Sequence, residues 1–151
     1  MRFMAPFLAF VLLAGCATHD DARLQGTWHS NRDATVAAFQ RDPRWTNAPP
    51  EKVQRFEDMF GQLTITYSNG VATSDYHDED ASFHYKVVKR GSDYDIIRYD
   101  ASVYQGRDIK IRFVDGDNGY WIDTLLFGIE ERFDKVATQN NKAPEPTATV
   151  P

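Results

Sequence analysis

A single cysteine, Cys16, stands in 151 residues, so the chain closes no intramolecular disulfide and builds no Cys-based zinc site. Cations are outnumbered as well, with 17 Lys and Arg against 22 Asp and Glu and a formal charge of -5. That balance excludes nucleic acid as a partner, because binding phosphates needs clustered cations that displace counterions. A basic patch gripping anionic headgroups is excluded on the same ground. The apolar run at 3–13 is shorter than the roughly 20 residues that span a bilayer. Gly-x-Ser-x-Gly, a phosphate-binding glycine loop and His-Glu-x-x-His are all missing. No catalytic residue set, metal or cofactor is indicated, and the chain reads as a non-enzyme.

What is present begins with an address. Arg2 precedes the apolar run 3–13, and small residues follow it, which is the pattern of a secretory signal. Leu13-Ala14-Gly15-Cys16 resembles the bacterial lipobox. The resemblance implies cleavage between Gly15 and Cys16, diacylglycerol on the Cys16 sulfur, and acylation (palmitate) of the new amino terminus. Several acyl chains matter, since one alone holds a protein only marginally at ~0.8 kcal/mol per buried CH2. Losing residues 1–15 removes Arg2 and leaves 16 basic against 22 acidic side chains, or -6. Attachment then rests on the lipid. Residue 17 is Ala rather than Asp, which in Gram-negative lipoproteins implies transfer to the outer membrane, on the periplasmic side. Residues 16–23 are the lipidated cysteine and a polar tether. Its seven residues 17–23 reach at most about 25 Å.

From residue 24 the pattern is mainly β. Strands are expected at 24–30, 62–67, 71–76, 83–87, 94–99, 108–114, 120–125 and 129–136, with Asn69-Gly70 as a two-residue hairpin turn. Between the first two, residues 31–61 form a helical insertion. Asp33 is expected to cap a short helix ending near Phe39, and Pro49-Pro50 to start another over 51–60 that stops at Gly61. Val53, Phe56 and Phe60 give the second helix an apolar stripe. About eight short strands suggest an antiparallel up-and-down barrel, which leaves no strand edge exposed. Residues 137–151 are polar, rich in proline and threonine, and read as a disordered tail.

Gly26-Thr27-Trp28 on the first strand, followed by this meander, resembles the Gly-x-Trp opening of lipocalins and related calycin barrels. In that family the tryptophan plugs one end and a basic residue of the last strand packs over it, which implies that role for Arg132. Further stretches resemble uncharacterised bacterial lipocalin-like lipoproteins: Gly26-Thr27-Trp28-His29-Ser30-Asn31, Phe60-Gly61-Gln62-Leu63-Thr64, Tyr120-Trp121 and Glu131-Arg132-Phe133. Together they make 24–136 a lipocalin-like β-barrel domain. The family's usual activity is carriage of a small hydrophobic molecule, for which Phe83, Tyr85, Phe113 and Trp121 are the candidate lining residues. Residues 24–136 are nevertheless short for a ligand carrier, and no long helix follows the last strand. A small eight-stranded barrel can be filled by its own side chains.

Other polar groups read as surface. Asp75, His77, Asp78, Glu79 and Asp80 offer oxygen ligands to Ca2+ but lack a defined spacing, so they read as a solvated loop. Asp115-Gly116-Asp117 begins no calcium loop, because the twelfth position from Asp115 is Leu126 rather than Glu. His29 and His84 lie on different strands without further ligands nearby in sequence. Two readings remain open. One is a membrane-anchored barrel that binds a small hydrophobic ligand. The other is a structural or interaction protein of the bacterial envelope with a filled barrel, for which Trp45 is the candidate contact with an envelope protein.

Overall fold

Strict alternation of apolar and polar residues, punctuated by turn residues, is what turns this chain into strands. A computed structural model of the chain describes residues 21–100, 106–124 and 128–137. The expected signal segment 1–15, with Gly15, the expected lipidation position Cys16, and the expected tail from 138 onward lie outside the described residues. Eight strands are seen: β1 (Gly26–Ser30), β2 (Thr64–Ser68), β3 (Val71–Tyr76), β4 (Glu79–Arg90), β5 (Tyr94–Tyr99), β6 (Asp108–Val114), β7 (Gly119–Asp123) and β8 (Glu130–Lys135). Two helices, α1 (Arg32–Gln40) and α2 (Pro50–Glu57), come between β1 and β2. Each strand pairs antiparallel with its neighbour in sequence, and β1 meets β8 through Trp28↔Lys135 and Ser30↔Phe133. The protein is mainly β, a closed eight-stranded antiparallel barrel.

Several boundaries differ from the sequence reading. The first strand starts at Gly26 rather than residue 24, because Leu24 is tucked beneath the barrel, where its carbonyl accepts the Trp28 Nε1 hydrogen bond at 2.7 Å. Asn31, not Asp33, caps α1, its side chain accepting from the Ala34 amide at 2.9 Å. Asp33 sits instead in the first turn, where its charge favours the helix dipole. α2 ends at Glu57, so Phe60 lies in the turn beyond it. The acidic stretch 75–80 is no loop. His77 and Asp78 adopt left-handed angles, with φ of 53° and 63°, and make a two-residue turn between β3 and the twelve-residue β4. Tyr76 thereby faces Glu79, and Asp75 faces Asp80.

Antiparallel wiring gives the barrel two distinct ends. At the base are the 69–70 turn, the 91–93 turn and the 115–118 turn; at the mouth are the helices, the 77–78 turn and Thr124. Between them the interior is packed with side chains. Trp28, Tyr67, Ile97, Ile111, Tyr120 and Phe133 are all but inaccessible to solvent. The Tyr67 and Tyr99 hydroxyls meet at 3.0 Å, and Tyr120 stacks on Phe133 at 5.2 Å. These buried, contacting rings pack the interior of the barrel.

A second core lies under the helices, where Phe39, Phe56, Phe60 and Ile129 cluster with Val36, Trp45 and Val53. Trp45 packs 4.8 Å from the Phe39 ring and 4.7 Å from Phe56. It is partly buried against the core of the insertion rather than fully exposed. α1 is tied to β8, because Thr35 Oγ1 accepts the Arg132 amide at 3.0 Å and the Asn31 side chain reaches Asp134.

Candidate functional site

The mouth is built where α2 runs back into the barrel. Gly61 adopts φ +83°, and an added Cβ there would lie 2.6 Å from the Arg32 Cβ, so the position demands glycine. Its amide donates to Ser30 Oγ at 2.8 Å. Ser30 in turn donates to Glu131 Oε1 at 2.5 Å. This chain of bonds fixes the end of the α2 segment against β1 and β8. Above it opens a pocket of about 300 Å3, at the lower end of the range for small-molecule sites. Phe56, Met59 and Phe60 form one wall, Leu63 and Tyr76 another, with Thr124 and Glu131 completing the lining.

The pocket is apolar with one acid inside. Glu131 is 8% exposed. Burial pushes its carboxyl above the ordinary carboxylate range, and the Ser30 hydroxyl draws back part of that shift. Among the described residues, no cation contributes to its charge balance. Met59 and Tyr76, by contrast, are 44% and 38% exposed. The rim therefore offers large apolar groups to solvent, where they normally have no reason to gather. The pocket thus presents one buried carboxyl, held by the Ser30 hydroxyl, to whatever occupies it.

The residues singled out by sequence are distributed differently. Phe83, Tyr85 and Phe113 all face the barrel interior, Tyr85 and Phe113 as buried core residues and Phe83 partly buried against them. Tyr85 accepts a hydrogen bond from Gln25 Nε2 at 3.1 Å, and Phe113 lies 4.5 Å beneath the Arg23 guanidinium. Trp121 points outward, because its neighbours Tyr120 and Ile122 take the inward positions of β7. The Arg112 and Arg132 guanidinium carbons are each 5.9 Å from its ring. Trp28 plugs the base, yet the cation over its ring is Lys135, with Nζ at 5.0 Å. Arg132 is on the outer face for the same reason of parity: Phe133 and Glu131 point in.

Asp21 and Arg23, read as tether, belong to the folded base. Arg23 donates to Asp21 at 3.0 Å and to Asp95 at 2.8 Å, and to the Ser92 carbonyl at 2.9 Å. Asp95 is fully buried. Glu131, missed as a site residue, carried one signal in the sequence: it alternates with Phe133, which puts an acid on the inward face of a strand.

A second cavity, about 530 Å3, lies outside the barrel between α1, Trp121 and Ile129. Its cations are already paired, Arg44 with Asp42, and Arg112 with Glu130 at 2.8 Å. That leaves little free charge for a ligand, so the mouth is the better candidate. His29 and His84 stay apart, on β1 and β4, with two strands between them. Among the described residues, no group of three or more His, Cys, Asp or Glu is arranged to hold a metal ion. No protein-family model matches the chain, and no curated protein or solved structure matches it either.

Proposed function

We propose that this chain is a lipid-anchored, lipocalin-like barrel of the bacterial envelope that binds a small hydrophobic molecule at its mouth. The observation carrying the proposal is the apolar pocket of about 300 Å3, with exposed Met59 and Tyr76 at its rim. Support for the lipocalin-like reading comes from the base, where Gly26-Thr27-Trp28 opens β1 and a last-strand cation, Lys135, covers the Trp28 ring. The site proposed is the open end; Tyr85 and Phe113 belong to the buried core and Phe83 packs against it, while Tyr85 also lines a separate pocket of about 420 Å3.

Anchoring at Cys16 gives the molecule an orientation. Asp21 lies five residue steps along the chain from Cys16, a reach of about 17 Å at full extension. The base, where Asp21 is held, then faces the bilayer, and the mouth opens to the aqueous periplasmic side of the outer membrane. A ligand would be collected from or delivered to that side.

Native mass spectrometry of protein purified from its own host tests the proposal. A retained small molecule, lost on substitution of Met59 by Glu, supports it. Protein carrying no added mass under gentle extraction argues for the second reading, an envelope interaction protein with no ligand. The specific observation favouring that alternative is the packed barrel axis.

A further inference from the structure

We infer that the mouth pocket selects a small apolar amine, whose protonated nitrogen pairs with the Glu131 carboxylate. This rests on the reading of the mouth as a ligand pocket and narrows it to a chemical class. Three observations carry it. The first is position: Glu131 is the acid inside a largely apolar pocket, and the residue is 8% exposed. Only one of its oxygens is engaged by Ser30.

The second is the missing partner. Buried carboxylates are ordinarily matched by a cation or by several donors, as Asp95 is by Arg23 at the other end of the barrel. Among the described residues, the polar groups neighbouring Glu131 are neutral: Ser30 on β1, Tyr76 on β3, Tyr120 on β7 and Thr124 beyond it. α2 contributes only Phe56, followed by Met59 and Phe60. Burial accordingly raises the carboxyl's pKa, and a ligand ammonium would supply the absent counter-charge and lower it again.

The third is the field at the rim. Asp58 follows α2; Asp75, Asp78, Glu79 and Asp80 flank the 77–78 turn beside Tyr76; Asp123 precedes Thr124, and all are exposed. The basic groups beside these acids are Arg55 on α2, Arg32 paired with Asp58 at 4.0 Å, Arg44 facing Asp123, and His77 in the turn, fewer than the acids they accompany. An acidic rim above an apolar pocket concentrates cations and turns anions away. The C-terminal end of α2 adds partial negative charge on the same side. A fatty-acid-like anion meets repulsion at the rim and a buried like charge inside. A neutral alcohol gains burial but no ion pair.

Isothermal titration of the full chain in lipid nanodiscs, with empty nanodiscs as blank, tests this using hexylamine, hexan-1-ol and hexanoate near neutral pH. Hexylamine is expected to bind about tenfold more tightly than hexan-1-ol, the margin of a charge-assisted over a neutral hydrogen bond, and hexanoate most weakly. Glu131→Gln, which keeps an acceptor for the Ser30 hydroxyl, should abolish the amine's advantage over hexan-1-ol. Equal affinity for amine and alcohol overturns the amine assignment but leaves an apolar pocket standing. So does an amine preference that survives in Glu131→Gln, since the rim alone would then be its source. Failure of all three probes to bind overturns the pocket reading itself.

Discussion

Replacing Asp95 by Asn should flatten the pH dependence of the protein's stability. Asp95 lies on β5 with no solvent exposure, and its Oδ1 takes the Arg23 guanidinium at 2.8 Å. Oδ2 has no hydrogen-bond partner among the described residues. Burial and the adjacent negative charge of Asp21 push its pKa from 3.8 up to about 6, against the pull of Arg23. An acid whose folded pKa exceeds its unfolded one stabilises the fold in acid and withdraws that support as pH rises through the folded value. Between about pH 5 and about pH 7.5, a displacement of that size removes roughly 1 kcal/mol of stability. Asp21 works in the opposite sense and in another window. Burial works to raise it, but its bonds from Arg23 outweigh that and hold its carboxyl below the usual range, so its loss comes only in stronger acid. Glu131 has the same sign as Asp95 and persists in the variant, which makes the difference between the two proteins the informative quantity. Urea unfolding followed by tryptophan fluorescence at both pH values measures it. A wild-type stability that rises from pH 5 to 7.5, or an Asp95→Asn protein with the same slope as wild type, refutes the reasoning.

Three further outcomes are expected. Trp28→Ala removes a fully buried ring 4.7 Å from Tyr120 and the Nε1 bond to Leu24, and should cost about 3–5 kcal/mol in urea unfolding. Gly119→Ala places a Cβ 2.0 Å from Arg132 Nη2, on a side chain held by Asp115 and Asp134. It should cost about 1–3 kcal/mol, and the penalty should shrink when Arg132→Ala is combined with it, a coupling that a double-mutant cycle reads directly. Cys16→Ser should move the protein from the membrane to the soluble fraction on cell fractionation; a variant that stays with the membrane removes the basis for the anchor.

Strand periodicity carried most of the fold. The alternation of Ile109, Ile111 and Phe113, and the Asn69-Gly70 turn, are local signals, and each lies where its chemistry demands. Residue roles went astray where the same alternation was not followed to its end. Phe133 inward forces Arg132 outward and returns Lys135 to the inward face over Trp28; Tyr120 inward likewise expels Trp121. The stretch 75–80 looked like loop because five polar residues around Tyr76 hide a turn. Its turn is made by His77 and Asp78 in left-handed angles, a conformation open to Asp but not advertised by it. The mouth was not legible at all. It joins the end of α2, the start of β2, the tip of β3 and the second residue of β8, and such a meeting depends on barrel closure rather than on any stretch of chain. Trp45 shows the same limit: flanking prolines suggested exposure, whereas Phe39 and Phe56 enclose it.

The most direct test of ligand binding at the mouth uses Met59. The chain holds three methionines, Met1, Met4 and Met59, so only Met59 remains once residues 1–15 are removed. A methyl-13C-methionine label then reports from the pocket rim alone. Titration with a small apolar probe should shift that one resonance saturably, and Glu131→Gln should alter its response to an amine more than to an alcohol. A Met59 resonance that stays fixed while the probe demonstrably binds the protein would place the ligand elsewhere and contradict the account.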